Sequence, residues 1–337
     1  MLKRALTSVV LLVLGCLAAA LVSEAAVRLL SPQPETPRWF EEDARYVYRL
    51  KKNFRQQYRF AGSDFVMDVR TNALGLRDGE WDPDAASACT RVLFLGDSFV
   101  FGYGVNVEDR FDTRLARLLE GEDRLYRLIN AGVPGWGTIQ ETRFAQDHFG
   151  VFLPDILVLA FCGNDPSDDA QLLNGEMVFK EQGLIGFPGK AWLRNHSHLY
   201  RFVLRHTTVL RRALLRQDDN QEDATVHVDA QSAAVLTEDA WERSLDVIRE
   251  LRSAFLEFNP SGRLLLLATN PEDATIRERL SSLDNGDSLR YLDLYDAVRN
   301  IPPEQRTLPF DRHWSVKMHA VVAEALAEAI RGLEDGA

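Results

Sequence analysis

Arg91-Val92-Leu93-Phe94-Leu95-Gly96-Asp97-Ser98-Phe99 decides how this chain is read. The apolar run from Val92 to Leu95 has the continuity of a strand buried on both faces rather than the alternation of a half-exposed one. Gly96 permits a tight turn, and Ser98 stands where the strand hands over to a helix. A helix amino terminus offers free N–H groups and a positive dipole end. A serine there suits nucleophilic chemistry, although an isolated Gly-Asp-Ser is more often a plain cap.

The same alternation continues outward. Phe111 to Leu119 is amphipathic, Tyr126 to Ile129 is a second strand, and Ile139 to Phe149 is helical. Asp155 to Ala160 is a third strand. A long helix from Trp241 to Phe258 follows, begun by Thr237 with acids in its first turn. Leu264 to Ala268 is a fourth strand, Tyr291 to Leu294 a candidate fifth, and Val316 to Ile330 the closing helix. Apolar strands alternating with helices predict an α/β fold: a three-layer α/β/α sandwich around a central, mainly parallel five-stranded sheet. Such sheets bind ligands beyond the carboxyl ends of their strands, so the residues following each strand matter most.

Four signals stand at those ends. Ser98 follows the first strand. Asn130-Ala131-Gly132-Val133-Pro134-Gly135-Trp136-Gly137-Thr138 follows the second, with three glycines that let a backbone approach closely. Cys162-Gly163-Asn164-Asp165 follows the third, and a loop Asn can donate its amide N–H to a developing oxyanion. Asp311-Arg312-His313 precedes the closing helix; His313 could serve as a general base and Asp311 could fix its tautomer. Each signal is weak alone, but the order Ser, Gly, Asn, His on one sheet edge is specific. From Val92 to about Ile330 the chain resembles the SGNH/GDSL hydrolases, whose fold is flavodoxin-like.

The resemblance implies an acyl-transfer enzyme. Ser98 is then the nucleophile, His313 the base and Asp311 its orienting acid. The oxyanion hole is formed by the Ser98 N–H, the Gly135 N–H and the Asn164 side chain. Gly137 is the fallback for Gly135, and Asp293 or Asp296 for Asp311. Asp165 holds its loop. Two departures stand out. Cys162 occupies a position where the family usually has glycine, and the last block is Asp-x-His rather than Asp-x-x-His. The shorter spacing is similar to that of polysaccharide O-acetyltransferases within the superfamily.

The rest of the chain sets the context. At 337 residues with net charge −11, from 39 Lys+Arg against 50 Asp+Glu, it lacks the cationic surplus of a broad nucleic-acid footprint. Three cysteines make no disulfide framework. No Cys/His cluster has metal-ligand spacing, His196 and His198 read as loop or helix surface, and the chemistry needs no cofactor. Lys3 and Arg4 precede an apolar run from Ala5 to Val22 that suits a signal-anchor helix over residues 1–30, leaving the rest extracytoplasmic. The alternatives are cleavage after Ser23-Glu24-Ala25 and lipidation at Cys16. Residues 31–45 read as a linker and 46–90 as an arm with a hairpin around Ala61 to Asp64. Within the hydrolase-like region 91–337, residues 166–236 form an insertion. Leu199 to Leu215 is its helix, carrying Arg201, Arg205, Arg211 and Arg212, with Arg216 just beyond. Gln217 to Asp223 is acidic. A surface helix, a lid or a lipid-facing helix all fit the insertion. Arg77 reads as a surface salt-bridge residue.

The expected substrate is an O-acyl, chiefly O-acetyl, ester of polysaccharide or lipid. A polysaccharide O-acetyltransferase using the same triad is the alternative, and a carbohydrate-binding scaffold on an inactive hydrolase fold is the third reading.

Overall fold

The computed structural model describes residues 2–33, 36–60, 63–84, 88–121, 124–177, 189–215 and 237–334. The chain begins with α1 (Leu2–Leu30), β1 (Phe40–Asp43), β2 (Val47–Leu50), β3 (Arg55–Arg59) and β4 (Val66–Arg70). It continues through β5 (Thr90–Gly96), α2 (Ser98–Phe101), α3 (Phe111–Leu119), β6 (Tyr126–Asn130), α4 (Thr138–Phe152), β7 (Ile156–Phe161) and α5 (Asp165–Leu173). Then come α6 (Lys190–His196), α7 (His198–Leu215), α8 (Glu238–Phe258), β8 (Arg263–Ala268) and α9 (Ala274–Ser281). The last elements are β9 (Leu289–Leu292), α10 (Tyr295–Val298), α11 (Pro303–Arg306) and α12 (Val316–Glu334).

Two compact units result. One comprises Met1–Pro37, Arg59–Asp64 and Lys180–Thr225, and the other the remainder.

The larger unit is built on a five-stranded sheet of order β6-β5-β7-β8-β9, parallel at every pairing. All six residues of β7 are buried, as the apolar run requires of a strand covered on both sides. Val92, Phe94, Val158, Leu265 and Leu267 join Phe111 and Leu115 of α3 and Met318, Val322 and Leu326 of α12 in one core. Helices α4 and α8 pack together, with α5 against α8. After β5 the chain adds β6 on one side, then returns to lay β7 on the other. The strand order therefore reverses at β5, and crevices at such reversals are where open α/β sheets bind ligands. The fifth strand begins two residues earlier than the sequence suggests, at Leu289.

The arm is more structured than its sequence implies. Phe40–Asp43, within the expected linker, pairs antiparallel with Val47–Leu50. Trp39 is fully buried, its ring 5.3 Å from Tyr58 and 5.9 Å from Phe101. Aromatic burial outweighs the prolines that precede it. The β3–β4 pair forms a second small sheet, and the Ala61-Gly62 part of its turn lies outside the described residues. The β1–β2 hairpin braces the loop after β6: Trp136 Nε1 donates to the Tyr48 carbonyl (2.9 Å) and the Tyr48 hydroxyl to that of Pro134 (3.2 Å).

Arg77 is not a surface salt-bridge residue. It is fully buried and donates to the carbonyls of Phe101 (3.0 Å), Gly102 (2.7 Å), Asp68 (3.1 Å) and Val105 (2.8 Å). One guanidinium thereby ties β4 to the loop following α2. Burial, then the nearby Arg110, lowers its pKa to about 9.

In the smaller unit, Leu6–Leu30 of α1 is long and apolar enough to cross a membrane, with mean hydropathy 2.5. Helix α7 packs on α1. The Leu199–Leu215 helix of the sequence reading is present, while Arg216 and the acidic Gln217–Asp223 segment lie outside the described residues. His196 bonds through Nδ1 to the Trp192 carbonyl (2.9 Å), and His198 Nδ1 accepts from Gln33 N (2.9 Å).

The Arg77 arrangement yields a stability test. Arg77→Met leaves three buried carbonyls and one partly buried one short of a charged donor, so urea unfolding should lose roughly 3 kcal/mol or more. A loss within experimental error would show that the clamp contributes nothing.

Candidate active site

Ser98 opens α2 directly after β5 and is buried. Asp97 caps the helix, its Oδ1 accepting from Phe99 N at 2.9 Å. The loop after α2 passes very close to the segment that carries His313. At Gly104 (φ +85°) an added Cβ would stand 2.0 Å from Leu308 Cδ1, so a side chain there would push the two loops apart.

Ser98 Oγ lies 2.7 Å from His313 Nε2, joining residues 215 apart in sequence. His313 Nδ1 is paired with Asp311 Oδ1. The same carboxylate oxygen accepts the His313 main-chain N–H at 3.0 Å. The two-residue spacing therefore works by a local turn in which the acid holds both ring and backbone of the same histidine. Burial alone would raise the Asp311 pKa, but the bonds from His313 outweigh it and hold the carboxyl below its ordinary range. The alternative acids are engaged elsewhere: Asp293 accepts from Tyr295 N (2.9 Å) and stands 3.6 Å from Arg277, and Asp296 is 3.2 Å from Arg299.

Aromatic walls that the sequence reading missed enclose the imidazole. The Tyr103 ring lies 4.8 Å and the Phe99 ring 5.0 Å from it. Both sit within five residues of Ser98, but only the tertiary fold turns them toward His313.

Gly135 and Asn164 stand in the loops after β6 and β7, and neither bonds Ser98 or His313 among the described residues. Gly135 has φ +79°, a conformation that glycine adopts readily. Its N–H has no protein acceptor among the described residues, whereas that of Gly137 is directed at Gln140 Oε1 (3.3 Å). Asn164 donates from Nδ2 to Asp168 Oδ2 at 2.7 Å. Asn130 is structural: its side chain donates to the Val100 carbonyl (2.8 Å) and accepts from Gly132 N (3.1 Å). Asp165 ties its loop to α4, accepting from Cys162 N (3.0 Å) and Thr138 Oγ1 (3.1 Å). Cys162 is buried, and burial followed by the neighbouring Asp97 and Asp165 pushes its thiol pKa well up.

Behind these loops lies a group of acids that the sequence did not reveal: Asp97, Glu141, Asp165, Asp168 and Asp169. Burial, reinforced by mutual repulsion, raises Glu141 and Asp165 well above the carboxylate range. Burial also raises Asp97. Asp168 is raised to about 8 by burial and then by Asp97 and Asp169, and Asp169 to about 6 by burial. Among the described residues, no group of three or more His, Cys, Asp or Glu side chains could hold a metal ion.

A protein-family model, GDSL-like Lipase/Acylhydrolase family, matches residues 94–321. No curated protein matches the sequence. A family 3 carbohydrate esterase from Clostridium thermocellum is similar in structure (14% identity, TM-score 0.44, covering 73% of this chain and 98% of that one). So are a psychrotrophic esterase from Pseudoalteromonas sp. (12% identity, TM-score 0.42, 73% and 99% covered) and a lipase/acylhydrolase from Enterococcus faecalis (15% identity, TM-score 0.41, 72% and 95% covered).

The acids make stability depend on pH. Unfolded, Asp168 and Asp169 would ionise near 3.8; folded, they hold their protons to about 8 and about 6. The native state therefore binds more protons across this window, and stability falls as pH rises through it. The urea midpoint should be higher at about pH 5 than at about pH 8.5, and Asp168→Asn should reduce that difference. An equal or higher midpoint at the alkaline end would contradict the assignment.

Proposed function

The chain belongs to the GDSL-like lipase/acylhydrolase family, and from that premise we propose that it is a membrane-anchored serine esterase acting outside the cytoplasm on O-acyl, chiefly O-acetyl, esters of polysaccharide or lipid. The observation that carries the mechanistic reading is the 2.7 Å approach of Ser98 Oγ to an imidazole whose other nitrogen is paired with Asp311.

In this mechanism His313 Nε2 takes the Ser98 proton as Oγ attacks the ester carbonyl. Asp311 keeps the remaining proton on Nδ1 and stabilises the imidazolium that forms. The tetrahedral oxyanion is met by the N–H groups of Ser98 and Gly135 and by the Asn164 side-chain amide. Collapse expels the alcohol, which takes the proton from His313, and leaves acyl-Ser98. Water, activated by the same imidazole, completes hydrolysis. A sugar hydroxyl in place of water would make the enzyme an O-acetyltransferase, the alternative suggested by the Asp311-x-His313 spacing.

Retention of α1 is supported by Glu24. Its carboxylate accepts from the N–H groups of His198 (2.9 Å) and Leu199 (2.8 Å) at the start of α7. Cleavage after Ala25 would remove that cap. Lys3 and Arg4 then stay on the cytoplasmic side.

Activity, labelling and mass measurements test this reading. Ser98→Ala should abolish p-nitrophenyl acetate hydrolysis and labelling by a fluorophosphonate, and Asn164→Ala should lower turnover by about 100-fold or more without loss of folding. Wild-type turnover in either variant would remove that residue from the chemistry. Acetyl mass gain on an added oligosaccharide would favour transfer. The intact mass of the protein isolated from membranes should include residues 1–25; a mature start at Ala26 would exclude the anchor.

A further inference from the structure

We propose that α6 and α7 form a membrane-surface element that engages anionic phospholipid headgroups beside the outer end of α1. The inference rests on the anchor reading of α1 and adds a binding surface to it.

The first observation is charge. Residues 190–215 contain six Lys or Arg and no Asp or Glu, in a chain whose net charge is −11. Lys190 and Arg194 belong to α6 and Arg201 to the first turns of α7, on either side of the junction at Ser197. This segment is thus opposite in sign to the protein as a whole. Guanidinium groups match the oxygens of a phosphate as a planar fork.

The second observation is placement. The α6–α7 junction is fastened to α1 immediately beyond its most apolar stretch. Glu24 Oε2 accepts from Ser197 Oγ (2.7 Å) and Leu199 N (2.8 Å), and Oε1 from His198 N (2.9 Å) and Arg28 Nε (2.5 Å). Arg28 Nη2 reaches on to the His196 carbonyl, and Gln33 N donates to His198 Nδ1. Glu24 is two residues past Val22, the end of the apolar run, so at 1.5 Å per residue the junction sits about 3 Å beyond it along the helix. Leu11, Leu12, Leu14, Leu17 and Leu21 of α1 are exposed, as a lipid-facing helix requires. With the Ala5–Val22 run, rather than the whole Leu6–Leu30 stretch, filling the hydrocarbon core, this bonding fixes the basic junction at headgroup level.

The third observation is Trp192. It is 62% exposed on α6, whereas Trp39, Trp136, Trp241 and Trp314 are buried and Trp81 is partly so. An amphipathic indole flanked by Lys190 and Arg194 is the composition of the bilayer interface. A basic, tryptophan-bearing element held at the foot of a membrane helix meets the lipid surface before any other partner, and its charge selects anionic headgroups.

The full-length chain reconstituted into phosphatidylcholine vesicles, with and without phosphatidylglycerol and with a headgroup-attached nitroxide quencher, supplies the test, because Trp192 is the most exposed of the six tryptophans. Phosphatidylglycerol should increase tryptophan quenching roughly twofold. Trp192→Phe should lose that increment. A Lys190→Gln, Arg194→Gln, Arg201→Gln variant should float with the vesicles yet respond equally to both lipid mixtures. Quenching that is indifferent to phosphatidylglycerol, or unchanged in Trp192→Phe, overturns the proposal. A chain that fails to float with the vesicles overturns the anchor reading beneath it, whereas one that floats without Trp192 quenching overturns this inference alone.

Discussion

The contact between Ser98 Oγ and His313 Nε2 sets the geometric demand that the larger unit meets. A helix start and a loop, 215 residues apart in sequence, must hold their side chains at 2.7 Å. The sheet fixes one partner, because Ser98 follows the buried strand β5 at the point where strand order reverses. The other is fixed through its neighbour. Trp314 is buried, donates from Nε1 to the Thr269 carbonyl (2.9 Å), and bridges Thr307. Its ring lies 5.1 Å from that of Phe99, next to Ser98. The histidine loop is therefore nailed to the end of β8 and to α2 by one large aromatic residue. Close packing converts that anchoring into positional precision, since a rigid core passes displacements on rather than absorbing them.

Much of this arrangement was legible in the sequence because it rests on local signals. A strand covered on both faces must be apolar throughout, so β5, β7 and β8 announce themselves, and the residues just past them fall on one edge by topology alone. What stayed hidden depends on contacts distant in sequence. Arg77 looks like any surface arginine until four carbonyls are found around it. Trp39 and Phe40 read as part of a Pro-rich linker because their burial depends on aromatic partners such as Tyr58, Phe101 and Tyr48. Glu24 carries no local sign that it caps a helix more than 170 residues on. The Asp-x-His spacing looked short for a triad, since nothing in sequence shows that Asp311 can serve the ring and the backbone of one histidine together.

The acids behind the site pose a sharper question, because negative charge there would oppose the oxyanion that the proposed chemistry generates. Asp168 accepts from the very amide, Asn164 Nδ2, that is assigned to that oxyanion. The resolution lies in protonation. Burial and mutual repulsion raise Asp168, Glu141 and Asp165 toward their neutral forms, because ionising several carboxyls at close range in a poorly solvated space is costlier than retaining their protons. A neutral carboxyl still accepts the Asn164 hydrogen bond through its carbonyl oxygen, so it can orient the amide without adding charge. The second N–H of Nδ2 is then left for a reacting group. The same burial that lowers stability as pH rises thus weakens the electrostatic objection to an amide donor at the end of β7, leaving Asp169 as the acid that ionises first.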